Sequence, residues 1–194
     1  SSCSVLDPGT MVERAVAAGL DALAVTEHDH YFDGRPLAEL ERQAAGRIRL
    51  FVGIEHTLPG FHVLAFGERL GTGPWDSAEA LLAAAADRAT ALVLAHPWRW
   101  GAAESFPDEA ALAAFLRRFH AVEVRSANLT PAQQAAGLAF CTAHGIPACA
   151  GSDAHSPAMA AAFATRFEKT LNNTADLAEA LRAGRYSPVS LPPS

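Results

Sequence analysis

The sequence contains no apolar run long enough to span a membrane, because its alanine-rich stretches are cut by Asp, Arg and Glu. No secretory signal is visible. A basic surplus is also missing: 15 Lys and Arg stand against 21 Asp and Glu, for a net charge of −6. That balance argues against duplex nucleic acid, whose non-specific binding needs a basic face. It leaves room for a small phosphorylated molecule, or a short oligonucleotide, held through metal ions. Cysteine is scarce. Cys3, Cys141 and Cys149 are odd in number and form no CxxC pair, so a disulfide framework is not expected and the reducing cytoplasm is the expected compartment. Neither GxGxxG nor a P-loop occurs, which weakens nucleotide-binding readings. Charged residues make up only 19%.

What is present is alanine, and a repeated alternation of short apolar runs with helical ones. The 194 residues are read as one domain, 1–194, with enough chain to bury a sizeable core. Residues 1–9 and 186–194 read as an opening loop and an irregular tail. Thr10 with Glu13, Asp76 with Glu79, and Thr130 with Gln133 carry helix-start signals, the last reinforced by Pro131. Gly19, Gly46, Gly145 and Gly184 carry stop signals. Strands are expected over residues 21–26, 48–54, 61–66, 91–95, 121–124 and 146–150, with one more over 162–169. Strand and helix alternating through short connectors imply parallel strands with covering helices. An open doubly wound sheet and a closed β/α barrel both fit. The barrel is favoured, because polar residues follow successive strands and a barrel gathers all its strand C-termini at one mouth.

Those polar residues are His28, Glu55, His62, His96, Asp153 and His155, with Asp7 a further candidate. Asp153 and His155 stand two apart after an apolar run, so in extended chain they face the same way. Histidine with carboxylate suits Zn, Mn or Fe. Six ligands exceed one tetrahedral ion and suit two or three divalent ions, with Glu55 as a bridge. Such ions clamp an oxyanion and bring the pKa of bound water towards neutrality. His120 and His144 each close a predicted helix, where imidazolium meets the negative dipole end. His56 points away from its neighbour Glu55. These three are expected to be structural. His30 stands either at the mouth or in solvent, and Asp7, before Pro-Gly, is as good a turn former as a ligand. Glu123 faces the mouth or pairs locally. Arg99 and Arg125 follow strand ends, and each suits either a phosphate or a surface ion pair. Trp98 and Trp100 are expected to pack their loop, an apolar wall for a substrate being the other reading. Cys141 and Cys149 read as packing residues, not nucleophiles.

Ala24-Val25-Thr26-Glu27-His28-Asp29, Gly53-Ile54-Glu55, Phe61-His62-Val63-Leu64, Ala95-His96-Pro97 and Gly151-Ser152-Asp153-Ala154-His155 follow one another in that order. Together they resemble the PHP (polymerase and histidinol phosphatase) superfamily, over nearly the whole chain. Val122-Glu123-Val124 and Leu181-Arg182-Ala183-Gly184-Arg185 also resemble its small stand-alone members. Each motif is weak alone; the ordered set is specific. The resemblance implies a distorted seven-stranded β/α (TIM-like) barrel, up to three metals and phosphoester hydrolysis. It matches His28, Glu55, His62, His96, Asp153 and His155 to metal-ligand motifs. Glu27 stands where the family more often has Asp. The family opens with a strand ending in His-x-His, continued by Ser-Ser-aromatic-Ser and an Asp. Ser1-Ser2-Cys3-Ser4-Val5-Leu6-Asp7 is similar to that continuation, so the sequence is expected to begin just after that strand.

The expected activity is metal-dependent phosphoester hydrolysis, with Asp153, His155 and Arg99 as catalytic residues. Hydrolysis of an amide or carbamate at the same site, and a non-catalytic binding domain, are the alternatives. The sequence assigns neither an oligomeric state nor a substrate.

Overall fold

The computed structural model describes residues 4–101 and 103–191, so the expectations placed on Ser1–Cys3 and on the end of the tail lie outside the described residues. The elements in chain order are α1 (Pro8–Ala17), β1 (Ala22–His28), α2 (Gly34–Ala44), β2 (Arg49–Leu58), β3 (Phe61–Gly67) and α3 (Ala78–Ala85). Then come β4 (Thr90–Ala95), α4 (Glu109–Leu116), β5 (Ala121–Arg125), α5 (Pro131–His144) and β6 (Ala148–Ala150). The chain closes with β7 (Phe163–Phe167), α6 (Thr174–Ala183) and β8 (Tyr186–Ser190).

Six strands form one curled, half-barrel sheet in the order β1-β2-β3-β4-β5-β6, while β7 and β8 pair separately. The described residues thus form a partial TIM-like barrel of six strands, open between β1 and β6, and the seventh strand of the expected barrel is not among them. β1 and β6 are the two edges, and the pairs β2–β3 and β3–β4 are antiparallel. The reason lies in one connection. Only Pro59 and Gly60 separate β2 from β3. Two residues can close an antiparallel hairpin but never a parallel crossover. Pro59 presets its φ, and Gly60 takes φ +81°, which a side chain would oppose.

β4 is buried along its whole length, as a central strand covered on both faces must be. Leu92 and Leu94 face a cluster with Ile54, Leu81, Leu116 and Val122. Ala91 and Val93 face Phe51, Phe66, Leu177 and Leu181, so α6 covers the other face. Val12, Val25, Leu40 and Ile48 make a third cluster joining α1 and α2 to β1.

The Thr130 start holds in full: its hydroxyl accepts from Gln133 N, Gln133 returns to the Thr130 amide, and Gly145 ends α5 at φ +61°. Two other starts shift. Asp7, not Thr10, caps α1, because its carboxylate accepts from Thr10 N at 2.8 Å, so the helix begins inside the stretch read as loop. Ser77, not Asp76, caps α3. The segment read as an irregular tail contains β8, aligned with β7 from Phe163↔Ser190 to Phe167↔Tyr186.

Candidate metal centre

β1 ends on His28, and the next residue turns sharply. Asp29 adopts φ +55°, its amide donates to Glu55 O at 2.9 Å, and its carboxylate accepts from Thr57 N at 2.9 Å. That clamp fixes His28 beside its register partner Glu55. Glu55 lies in the middle of β2, not at a strand end as expected, because β2 runs on into the hairpin. His62 opens β3, yet the antiparallel reversal brings it to the same end of the sheet, opposite Thr57 and Ala95. His96 follows β4 directly, at φ +32°.

Side-chain donors converge where these elements meet. Glu55, 5% exposed, places one carboxylate oxygen 2.8 Å from His62 Nδ1 and 3.6 Å from His96 Nε2. Its other oxygen is 3.9 Å from His28 Nδ1. One ligand atom each from His28, Glu55 and His62 lies within 4.8 Å of the others. On the far side, His96 Nε2 is 3.7 Å from Asp153 Oδ2. His155 joins through its Nδ1, 2.9 Å from the Asp153 carbonyl oxygen, with its ring centroid 6.3 Å from that of His28. Asp7, exposed at the α1 cap, is occupied there.

Electrostatics support the convergence. Burial pushes the Glu55 carboxyl up, but the hydrogen bond to His62 and the nearby imidazoles of His96 and His28 outweigh it, holding the pKa at about 2. Glu123, 3% exposed, has its carboxyl pKa pushed well up by burial and by the Asp153 and Glu55 carboxylates. Its Oε2 accepts from His96 N at 3.2 Å. Asp153 sits at φ +44°. Asn128 Nδ2 donates both to its carbonyl oxygen, at 2.9 Å, and to its carboxylate. Arg99 stands 3.5 Å from the same carboxylate. Non-glycine residues held at positive φ cost energy and concentrate at working sites; here Asp29, His96 and Asp153 are three of them.

The donor set fits a divalent metal. His96 is 2% exposed, and its Nε2 has no hydrogen-bond partner. The two carboxylates it faces, at 3.6 and 3.7 Å, are too far to accept a good hydrogen bond. Ligands each about 2.0–2.2 Å from one ion, at tetrahedral to trigonal angles, lie roughly 3.3–3.7 Å apart. A shared cation accounts for a spacing that hydrogen bonding does not.

The other histidines stay outside. His56 is fully buried on the opposite face, where its Nδ1 accepts from Trp75 Nε1 at 3.2 Å. His144 ends α5 against the Phe140 ring, 4.3 Å between centroids. His120 does not close α4, which stops at Leu116; its Nδ1 accepts from Leu92 N at 3.0 Å and leads into β5. His30 is exposed, with its Nδ1 2.9 Å from the His28 carbonyl oxygen. Arg125 reaches Ser190 on β8. Asn128 was not singled out from sequence. Its one signal is position, just past the end of β5.

Residues 134–186, from the first turn of α5 to the start of β8, match the family described as PHP-associated. The fold resembles that of PsfC from Pseudomonas syringae PB-5123, with a TM-score of 0.68 and 23% identity, over 93% of this chain and 81% of that one. It also resembles a two-domain protein from Bacteroides vulgatus ATCC 8482 containing a predicted PHP-like metal-dependent phosphoesterase, with a TM-score of 0.71 and 20% identity. That likeness covers 97% of this chain, which spans 61% of the two-domain protein.

The family match covers residues 134–186, and over the rest of the chain the likeness is one of fold.

The fold also resembles that of an amidohydrolase from Chromobacterium violaceum, solved with bound sulfate and no metal, at a TM-score of 0.58 and 16% identity, over 81% of this chain and 85% of that one. No curated protein matches the sequence. Among the described residues no helix is long and apolar enough to cross a membrane.

Proposed function

We propose that this chain is a metal-dependent phosphoesterase of the PHP superfamily, acting on a small phosphorylated molecule or a short oligonucleotide. His28, Glu55, His62, His96, Asp153 and His155 would hold two or three divalent ions, drawn from Zn, Mn and Fe. When bound, such ions neutralise phosphoryl oxygens and acidify a water to supply the nucleophile. The observation that carries the reading is the buried, partnerless Nε2 of His96 between two carboxylates.

The chain's own residues supply the rest. Glu55 stays ionised, because its low pKa keeps it anionic throughout the physiological range. Asp153, fixed by Asn128, presents a carboxylate that orients the attacking water. Arg99 lies close enough to that carboxylate for its guanidinium fork to take phosphoryl oxygens as their charge develops. His155, its Nδ1 bonded to the Asp153 carbonyl oxygen, would offer its other ring nitrogen to an ion on the Asp153 side. The buried, unpaired thiols of Cys141 and Cys149 agree with a cytoplasmic setting. The likeness to an amidohydrolase favours a second reading, in which the same site hydrolyses an amide or carbamate.

Turnover separates these readings. The full-length protein, loaded with Mn²⁺, is expected to release phosphate from 4-nitrophenyl phosphate and to leave 4-nitroacetanilide and aryl carbamates intact. The opposite selectivity would replace the phosphoester reading by the amide one. Failure of the full-length protein to retain Mn, Fe or Zn would make the chain a binding module.

A further inference from the structure

The loop after β4 carries two tryptophans with opposite fates. Trp98 is buried, packed at 6.3 Å between centroids against Phe140 and seated over Gly137, where any Cβ would lie 2.9 Å from the indole. Gln133, from the α5 capping box, donates to the Trp98 carbonyl oxygen at 2.7 Å. Arg99 N donates to His96 O at 2.9 Å, and Ala103 N to Pro97 O at 3.1 Å. The loop is thus pinned at both ends and along its backbone.

Trp100 nevertheless projects, 57% exposed. Its ring centroid lies 5.1 Å from that of His62 and 5.3 Å from that of His96, near-perpendicular to each, at 75° and 82°. The Arg99 guanidinium carbon stands 4.5 Å from the indole centroid while the same side chain reaches Asp153. A large apolar ring held against two metal-centre histidines, yet left to water by an anchored loop, is surface available to a ligand. With a phosphoryl group at the donors and Arg99, this indole is an exposed apolar surface beside the organic part of the ester.

We propose that Trp100 sets substrate specificity by contacting a planar, aromatic or heteroaromatic group carried by the phosphoester. This rests on the phosphoesterase reading. Arg99 polarises the indole and holds its orientation, so a flat ring gains from stacking or edge contact where a puckered ring of equal size does not. Aromatic pairing at an exposed site corresponds to a preference of about three- to tenfold.

The test uses the full-length protein loaded with Mn²⁺ and two inert ligands of equal size, phenylphosphonate and cyclohexylphosphonate, titrated calorimetrically. The wild type is expected to bind the phenyl compound about three- to tenfold more tightly. Trp100→Ala should erase that ratio, Trp100→Phe should keep most of it, and both should retain the wild-type Mn content. An unchanged ratio in Trp100→Ala overturns the assignment of Trp100 alone. Phosphonate binding undetectable in the metal-loaded wild type overturns the phosphoester reading, and this assignment with it.

Discussion

Gly151 opens the segment that carries Asp153 and His155, and replacing it by alanine tests how the candidate metal centre is braced. Its φ is not positive, so alanine meets no backbone strain there. At such a position Gly→Ala ordinarily stabilises by about 0.4–1 kcal/mol, by restricting the unfolded chain. Here the new Cβ would lie 2.7 Å from Glu123 Oε1. Glu123 is buried and its Oε2 holds the His96 amide, so it cannot swing into solvent. Overpacking of this kind costs about 1–3 kcal/mol. The sign should therefore reverse: in calorimetry with chelator present, Gly151→Ala should melt about 2–8 °C below the wild type. Glu123→Ala removes the obstacle while costing stability of its own, since it leaves the His96 N–H without an acceptor. In that background Gly151→Ala should cost at least about 1 kcal/mol less than in the wild type, a coupling expected of residues in contact. Strict additivity, or a raised melting temperature in the single variant, would refute the steric argument. Mn²⁺ affinity should also fall in Gly151→Ala, because a displaced Glu123 moves His96.

Asp153→Ala should lower turnover at least about 100-fold with loss of bound Mn²⁺, while His144→Ala, seated on Phe140, should stay within about twofold; steady-state kinetics with metal analysis checks both. Gly137→Ala should lower the melting temperature despite a helix-propensity gain of about 0.8–1 kcal/mol, because the Trp98 ring already fills the space; a rise would refute the contact. His120 has its pKa lowered by burial and by Arg182. Below the ordinary pKa of about 6.5 the unfolded chain takes up a proton that the folded imidazole resists, so stability falls as the pH drops through that value and on to the folded pKa, while above it the term vanishes. His120→Gln should flatten that acid-side loss, read from urea midpoints at pH 7.5 and 5.0.

How much of this was legible follows from what each signal depends on. The Thr130 box and the Gly145 and Gly184 stops are local chemistry, and all three stand as read. The hairpin was legible in principle, since Leu58-Pro59-Gly60 leaves no room for a crossover helix; counting strands as parallel overrode it and put Glu55 at a strand end. Asp7 shows a different limit. A carboxylate before Pro-Gly can cap a helix or bind a cation, and only the position of Thr10 N decides between them. Closure of the sheet depends on contacts between distant residues, as does the pairing of β8 with β7 across α6. Glu123 and Asn128 belong to the same class. Nothing in Val-Glu-Val or Ala-Asn-Leu distinguishes a buried acid bracing His96, or an amide bracing Asp153, from ordinary strand-end polarity. The convergence of these side chains was readable because it repeats one rule: donors lie where strands meet one end of the sheet. His62 obeys that rule only because β3 runs backwards, so the hairpin that departs from the expected parallel order is also what carries His62 to Glu55.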